Sequence, residues 1–311
     1  MEKNNDQMLG ALAAVFAYLL WGVLPIYWKL IDGVSAEAIL ANRIIWSFVF
    51  MIFIIFVTRN YSALIADVRE LIHAPSRLVI IISASVIITI NWYTFIWAVN
   101  HGHVVESSLG YYINPLVSVL LGILFLKEKL SMWQMVSFGL AVIGVLIMTI
   151  HAGTFPWISL VLALSFGVYG LLKKIVHLKA MTGLAIETLI MTPIALLYLF
   201  LFTNYSSSGY TTPGLILLII GSGIVTAIPL LLFAAGANRI SLTMVGFFQY
   251  IAPTLMLILG TLLYHEPFNH EDLIAFILIW ASLILFTLSK TKGFVRMEAR
   301  VIPRKSKGLA K

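Results

Sequence analysis

The chain contains no cysteine, so disulfides and thiolate metal sites are excluded. Charge is scarce: Asp, Glu, Lys and Arg make up 11% of the residues. Soluble domains carry about 25%. No H-E-x-x-H, G-x-S-x-G or G-x-x-x-x-G-K-[ST] pattern occurs, so no zinc-protease, serine-hydrolase or ATP site is expected. The 7 histidines (73, 101, 103, 151, 177, 265 and 270) fall in loops or at helix ends and form no buried cluster. Neither a metal nor a cofactor is therefore expected. No link between apolar segments is long enough to hold a soluble domain, and no G-x-x-x-G helix-dimer face is present.

What is abundant is apolar surface, at 61% of residues. A soluble protein of this length could not hide it, so the fold class is an all-α integral membrane protein. About twenty apolar residues span a bilayer core. That ruler gives ten helices, over residues 8–28, 37–58, 78–99, 104–126, 132–150, 156–173, 181–202, 214–236, 243–264 and 272–289. The run after the polar start, Met1 to Gln7, reads as a first membrane helix and not as a cleaved signal. The longest link, 59–77, holds an amphipathic piece (Leu64, Val68, Leu71, Ile72) suited to the interface.

The net charge of +7 does not point to nucleic acid, because 8 of the 20 Lys+Arg lie in the last 22 residues. A basic tail beside a membrane meets anionic lipid headgroups or fixes topology. With the N-terminus inside, the inner segments hold 18 Lys and Arg and the outer ones only Lys29, with Arg43 inside the second helix. Both termini are therefore expected in the cytoplasm, in a multi-pass plasma-membrane protein.

The stretch Glu106–Glu128 returns 138 residues later as Met244–Glu266: Tyr112 answers Tyr250, Pro115 answers Pro253, and Glu128 answers Glu266. Near the start of each half, Tyr18…Trp21-Gly22 echoes Phe166…Tyr169-Gly170. The chain therefore divides into a five-helix repeat over 1–150, a second over 155–290, and a basic tail, 291–311. Five is odd, so the halves enter the membrane from opposite sides. Inverted repeats of this kind build secondary transporters, with the substrate site near the midplane where the halves meet.

Polar groups inside hydrocarbon each need a reason. Arg43 has two readings: a lock to a carboxylate (Glu37, Glu106 or Glu187), or a charge facing substrate. Glu106 and Glu187 are candidates for that pairing or for proton carriage, although a carboxylate in the first turn, like Glu106, can also simply satisfy a helix N-terminus. Asn91 and Trp92 line a cavity or make helix–helix hydrogen bonds. Tyr111, Tyr112 and Asn114 precede Pro115, and Gln249 and Tyr250 precede Pro253. A proline kink frees a carbonyl that must find a partner in a membrane. Matching kinks with polar neighbours are expected to face the pathway at mid-membrane. Trp21 and Tyr169 complete the expected cavity.

Several ordered motifs carry a resemblance: Y-x-L-W-G-V-L-P-I-Y-W-K (18–29), I-L-A-N-R-I-I-W-S (39–47), N-W-x-x-F-I-W-A-V-N (91–100) and E-S-S-L-G-Y-Y-I-N-P-L (106–116). Together they resemble the drug/metabolite transporter superfamily, in the RarD subgroup of its EamA branch. One departure is Ala38, where the resemblance implies a second acidic residue beside Glu37. The resemblance implies a permease that moves small organic solutes, often outward. The alternative is a lipid-linked carrier flippase, against which the single intramembrane arginine weighs. An enzyme would need a catalytic set that the sequence lacks.

Overall fold

The computed structural model describes residues 2–31, 34–101, 103–151, 157–202, 212–263 and 270–301, and every regular element among them is a helix. In chain order these are α1 (Glu2–Lys29), α2 (Ala36–Val57), α3 (Tyr61–His73), α4 (Pro75–Asn100), α5 (Val104–Leu126), α6 (Met132–His151), α7 (Trp157–Val176), α8 (Ala180–Phe202), α9 (Pro213–Arg239), α10 (Leu242–Gln249), α11 (Ile251–Leu263), α12 (His270–Ser289) and α13 (Lys292–Val301).

Ten apolar spans cross the membrane. Nine are long and apolar enough by themselves, with α10 and α11 counted as one, and the shorter Leu273–Ser289 is the tenth. Large apolar side chains point outward, among them Phe53, Phe56, Leu124, Ile150 and Phe200. Such a surface is stable only against lipid. An even number of crossings puts both termini on the same side.

The short α3 is amphipathic as expected. Leu71 is buried against Ile81, Val176 and Ile186, while Ile65 and Ile72 face outward. The start of the tail is helical. In α13, Phe294 packs edge-on to Trp133 at 5.3 Å, and Glu298 accepts the Met132 N–H at 2.8 Å, at the start of α6.

The most extensive helix pairings are α6·α12, α5·α7, α1·α9, α2·α9, α4·α7 and α2·α8, and each joins the first half to the second. They follow an approximate two-fold relation. α1·α9 matches α7·α4, α5·α7 matches α10–α11·α1, and α2·α8 maps onto itself. The halves thus share one core. Its largest cluster mixes Tyr18, Met51 and Ile88 with Tyr169, Leu184, Phe233 and Leu242.

The two proline helices differ. α5 runs unbroken through Pro115. Its counterpart breaks: α10 stops at Gln249, Tyr250 caps it, and α11 restarts at Ile251. Pro253 cannot donate to the Gln249 carbonyl, but Pro115 equally cannot donate to the Tyr111 carbonyl and α5 runs on, so the missing donor alone does not make the break. The break lies beside a close crossing, since a Cβ on Gly246 would stand 2.9 Å from the Pro115 carbonyl oxygen.

One boundary departs from the sequence reading. The span expected to stop at 173 continues to Val176, so Lys173 lies inside the helix and is buried, not at its inner end. The charged end at Glu128 is a cap. Its carboxylate accepts the N–H groups of Leu242 (2.6 Å) and Thr243 (2.9 Å), at the start of α10 in the other half. Negative charge there satisfies orphan donors and complements the helix dipole.

Candidate functional site

α2 begins at Ser35, whose side chain accepts the Ala38 N–H and fixes the helix start. Arg43 follows two turns later and is 8% exposed. Its Nε donates to Thr226 Oγ1 of α9 at 3.0 Å. Its Cζ lies 4.5 Å from the Trp28 ring centroid and 4.9 Å from that of Trp92. Tyr111, packed edge-on to Phe95 at 5.6 Å, is close enough to couple electrostatically to the guanidinium. Tight α2–α9 packing makes this possible. A Cβ on Gly223 would meet the Trp46 backbone carbon at 2.2 Å, and Ser47 donates to the Gly223 carbonyl at 3.1 Å. Only glycine admits that approach, and Thr226 follows it within one turn.

No carboxylate among the described residues pairs with Arg43. The expected bridge to Glu187 does not form. Glu187 instead accepts from Lys173 Nζ at 2.6 Å and from the Tyr169 hydroxyl at 3.0 Å, both on α7 in its own half. Lys173 was out of consideration as a partner because the sequence ruler placed it at the inner end of its span. The Glu106 side chain lies outside the described residues.

Arg43 and Glu187 nevertheless correspond. Each stands seven residues into the second helix of its half (43 − 36 and 187 − 180), and Ala36, Leu40 and Ala41 match Ala180, Leu184 and Ala185. At about 1.5 Å per residue, each lies roughly 10 Å from the start of its helix, and those starts are on opposite sides. Two opposite charges thus occupy equivalent stations, one neutralised and one not.

A small cavity reaches Glu187 but is not lined by Arg43. Ile44, Thr89, Trp92, Tyr169, Glu187, Thr188 and Leu230 line it, so α2, α4, α7, α8 and α9 all contribute. A water-sized sphere's centre can move through about 20 Å³ of it, room for roughly one water. Trp92 lines this cavity and also covers Arg43. An aromatic wall continues from it: Tyr169 stacks on Phe233 at 6.0 Å, and Trp21 packs on Phe166 and Phe233 at 5.6 and 5.7 Å.

Other expected cavity residues are engaged elsewhere. Asn91 is a helix–helix tie, its Nδ2 donating to the Leu162 carbonyl at 2.9 Å and to Ser165 Oγ at 2.8 Å. Tyr112 and Tyr250 are buried with Ala141, Val145, Phe276 and Ile279, in a cluster apart from Arg43. The Tyr112 hydroxyl donates to the Pro253 carbonyl at 3.0 Å, and Gln249 Oε1 accepts from Ser118 Oγ at 3.0 Å. The polar groups beside Pro115 and Pro253 thus bind each other across the halves and do not face the Arg43 cavity. Asn114 Oδ1 and the Tyr250 hydroxyl are buried there and find no partner among the described residues. Trp28 and Thr226 escaped the sequence reading. Trp28 stands at a helix end, and Thr226 is one of many hydroxyls.

Comparison with known proteins agrees with this architecture. The model of the EamA-like transporter family matches twice, over residues 8–150 and 156–288. The chain is 48% identical over 290 residues to the "Uncharacterized transporter YojE" of Bacillus subtilis (strain 168), covering 93% of this chain and 97% of that one. It is 43% identical over 281 residues to "Protein RarD" of Escherichia coli (strain K12), covering 90% and 94%. A solved crystal structure superposes with a TM-score of 0.70 at 18% identity, covering 90% of this chain and 96% of that one, which bears on the fold alone. The family model covers both halves of the chain and the relatives match it over nearly its whole length, so the chain belongs to the EamA-like transporter family.

Proposed function

We propose that the protein is a secondary permease, working as an exporter, that carries small organic amphipathic solutes by alternating access. One observation carries the proposal: a buried arginine with no carboxylate partner among the described residues, flanked by two indoles, one of which, Trp92, lines a cavity to which both halves contribute helices. Aromatic faces accept flat solutes of varied shape, and the small size of the cavity suits an occluded conformation. Rocking of one half against the other would open it. Arg43, Trp92, Tyr169 and Trp21 are assigned to substrate contact, with Tyr111 at the edge. Asn91, Tyr112, Asn114, Gln249, Tyr250, Pro115 and Pro253 are assigned to the joints between helices. Glu187 is the ionisable group placed to couple transport to a charge, through its pair with Lys173.

The charge asymmetry of the links supports an inner-membrane location with both termini cytoplasmic. A single unneutralised arginine and a cavity this small weigh against a lipid-linked carrier flippase. Family membership and the names of the relatives favour transport over catalysis. Reconstituted protein should exchange a labelled solute across vesicles in a saturable way. If a broad solute screen gave only flux equal to that of protein-free vesicles, the proposal would fail.

A further inference from the structure

Among the described residues, Arg43 is a buried cation without a buried anion. A guanidinium has five N–H donors. Its Nε group is used by Thr226, and the two Nη amino groups meet no oxygen within hydrogen-bond distance among the described residues. The other described cations inside spans differ. Lys173 meets the Glu187 carboxylate, and Lys174 donates to the carbonyls of Ala237 and Ile240. Trp28 and Trp92 cover Arg43 without supplying an acceptor. Their ring faces partly compensate the charge but leave the paired Nη donors to an incoming group.

We infer that the transported solute is an organic carboxylate with a flat apolar body, held by Arg43 at its oxyanion and by Trp28 and Trp92 along its body. The inference rests on the permease reading above and narrows its substrate class. Two features select this chemistry. First, the sign is fixed. Lys173 pairs with Glu187, which leaves Arg43 as the buried charge with no opposite partner among the described residues, and a cationic solute would be repelled from it. Second, the shape is fixed. Paired Nη donors match the two oxygens of a carboxylate, which an ammonium at this position could not do. Beyond Trp92 the cavity offers Ile44, Leu230 and Met191 to a hydrocarbon body, beside the polar Thr89, Thr188 and Glu187 that also line it. Thr226 is a positioning residue, since it holds Nε and so sets the direction of the Nη fork.

The test uses the full chain in vesicles with three probes of one shape: 3-phenylpropionate, its neutral amide, and 3-phenylpropylamine. Saturable counterflow is expected for the carboxylate and at least tenfold less for the other two. Arg43→Gln should abolish carboxylate counterflow. Arg43→Lys should weaken it about tenfold, because an ammonium is a point charge without the fork. Thr226→Val should raise KM severalfold with little change in maximal rate, which a merely structural role would not do. Thermal unfolding checks that each variant is folded. If Arg43→Gln does not fold, the Arg43→Lys and Thr226→Val pair decides. Unchanged carboxylate KM in both overturns the inference. Amide or amine counterflow equal to that of the carboxylate overturns the anion class while leaving a transporter. No saturable counterflow of any probe overturns this inference, while the broad solute screen decides the permease reading separately.

Discussion

The buried ion pair gives a measurable prediction. Lys173 and Glu187 have side chains 3% and 4% exposed and an N···O distance of 2.6 Å. Glu187→Gln removes the negative charge and leaves the ammonium buried beside a neutral amide. Breaking one member of such a pair costs ~3–5 kcal/mol, because the remaining charge stays desolvated. An effect of ~3 kcal/mol is roughly a hundredfold in the folding equilibrium. The single variant should therefore unfold at a temperature lower by several degrees in detergent or nanodiscs. The Lys173→Met/Glu187→Met double variant removes both charges at similar volume, and it should lie within ~1–2 kcal/mol of the parent. Part of that residue is the Tyr169 hydroxyl, which loses its acceptor and contributes ~1 kcal/mol. The coupling energy from the double-mutant cycle should be about 2 kcal/mol or more. Additive effects of the two single changes would refute the reasoning, and so would a Glu187→Gln cost below about 0.5 kcal/mol.

Four further changes test the packing and the joints. Gly223→Ala should destabilise by ~1–3 kcal/mol or prevent accumulation of folded protein, because its Cβ would meet the Trp46 backbone carbon at 2.2 Å. Gly139→Ala, with nothing within 4 Å, should be neutral or slightly stabilising in the same unfolding assay. Tyr112→Phe keeps the ring in its cluster and deletes the hydrogen bond to the Pro253 carbonyl. It should cost ~1 kcal/mol, and hydrogen exchange should speed up at the α10–α11 break but not in α5. Glu128→Gln keeps the shape and removes the charge that caps α10. A loss of ~1 kcal/mol is expected, smaller at high salt, and a loss insensitive to salt would argue against the dipole contribution.

Much of the architecture was legible because hydrocarbon imposes one simple rule. Every backbone group in it must be satisfied within its own segment, so spans are helices of nearly fixed length. Run length, loop charge and the Tyr-Ile…Pro echo then yield ten spans and two related halves. The ruler slipped where a charge was buried. It ended a helix at Lys173 because lysine normally marks the edge of hydrocarbon, and so it hid the partner of Glu187. The Pro115–Pro253 pairing was seen, but not that one helix runs through its proline while the other breaks.

The sequence by itself determined the class, the crossings, the duplication and Arg43 as the charge that needs explaining. Each follows from composition and spacing along one chain. Only the tertiary structure decided the partners. It gave Glu187 to Lys173, Asn91 to α7, Tyr112 to the Pro253 carbonyl, Glu128 to the start of α10, and two indoles to Arg43. The physical reason is that a span's length is a local property, whereas its rotation and neighbours are set by packing against the other half. A Cβ clash at Gly223 or Gly246 decides which helix approaches closely, and nothing in the order of residues along one helix records what stands opposite.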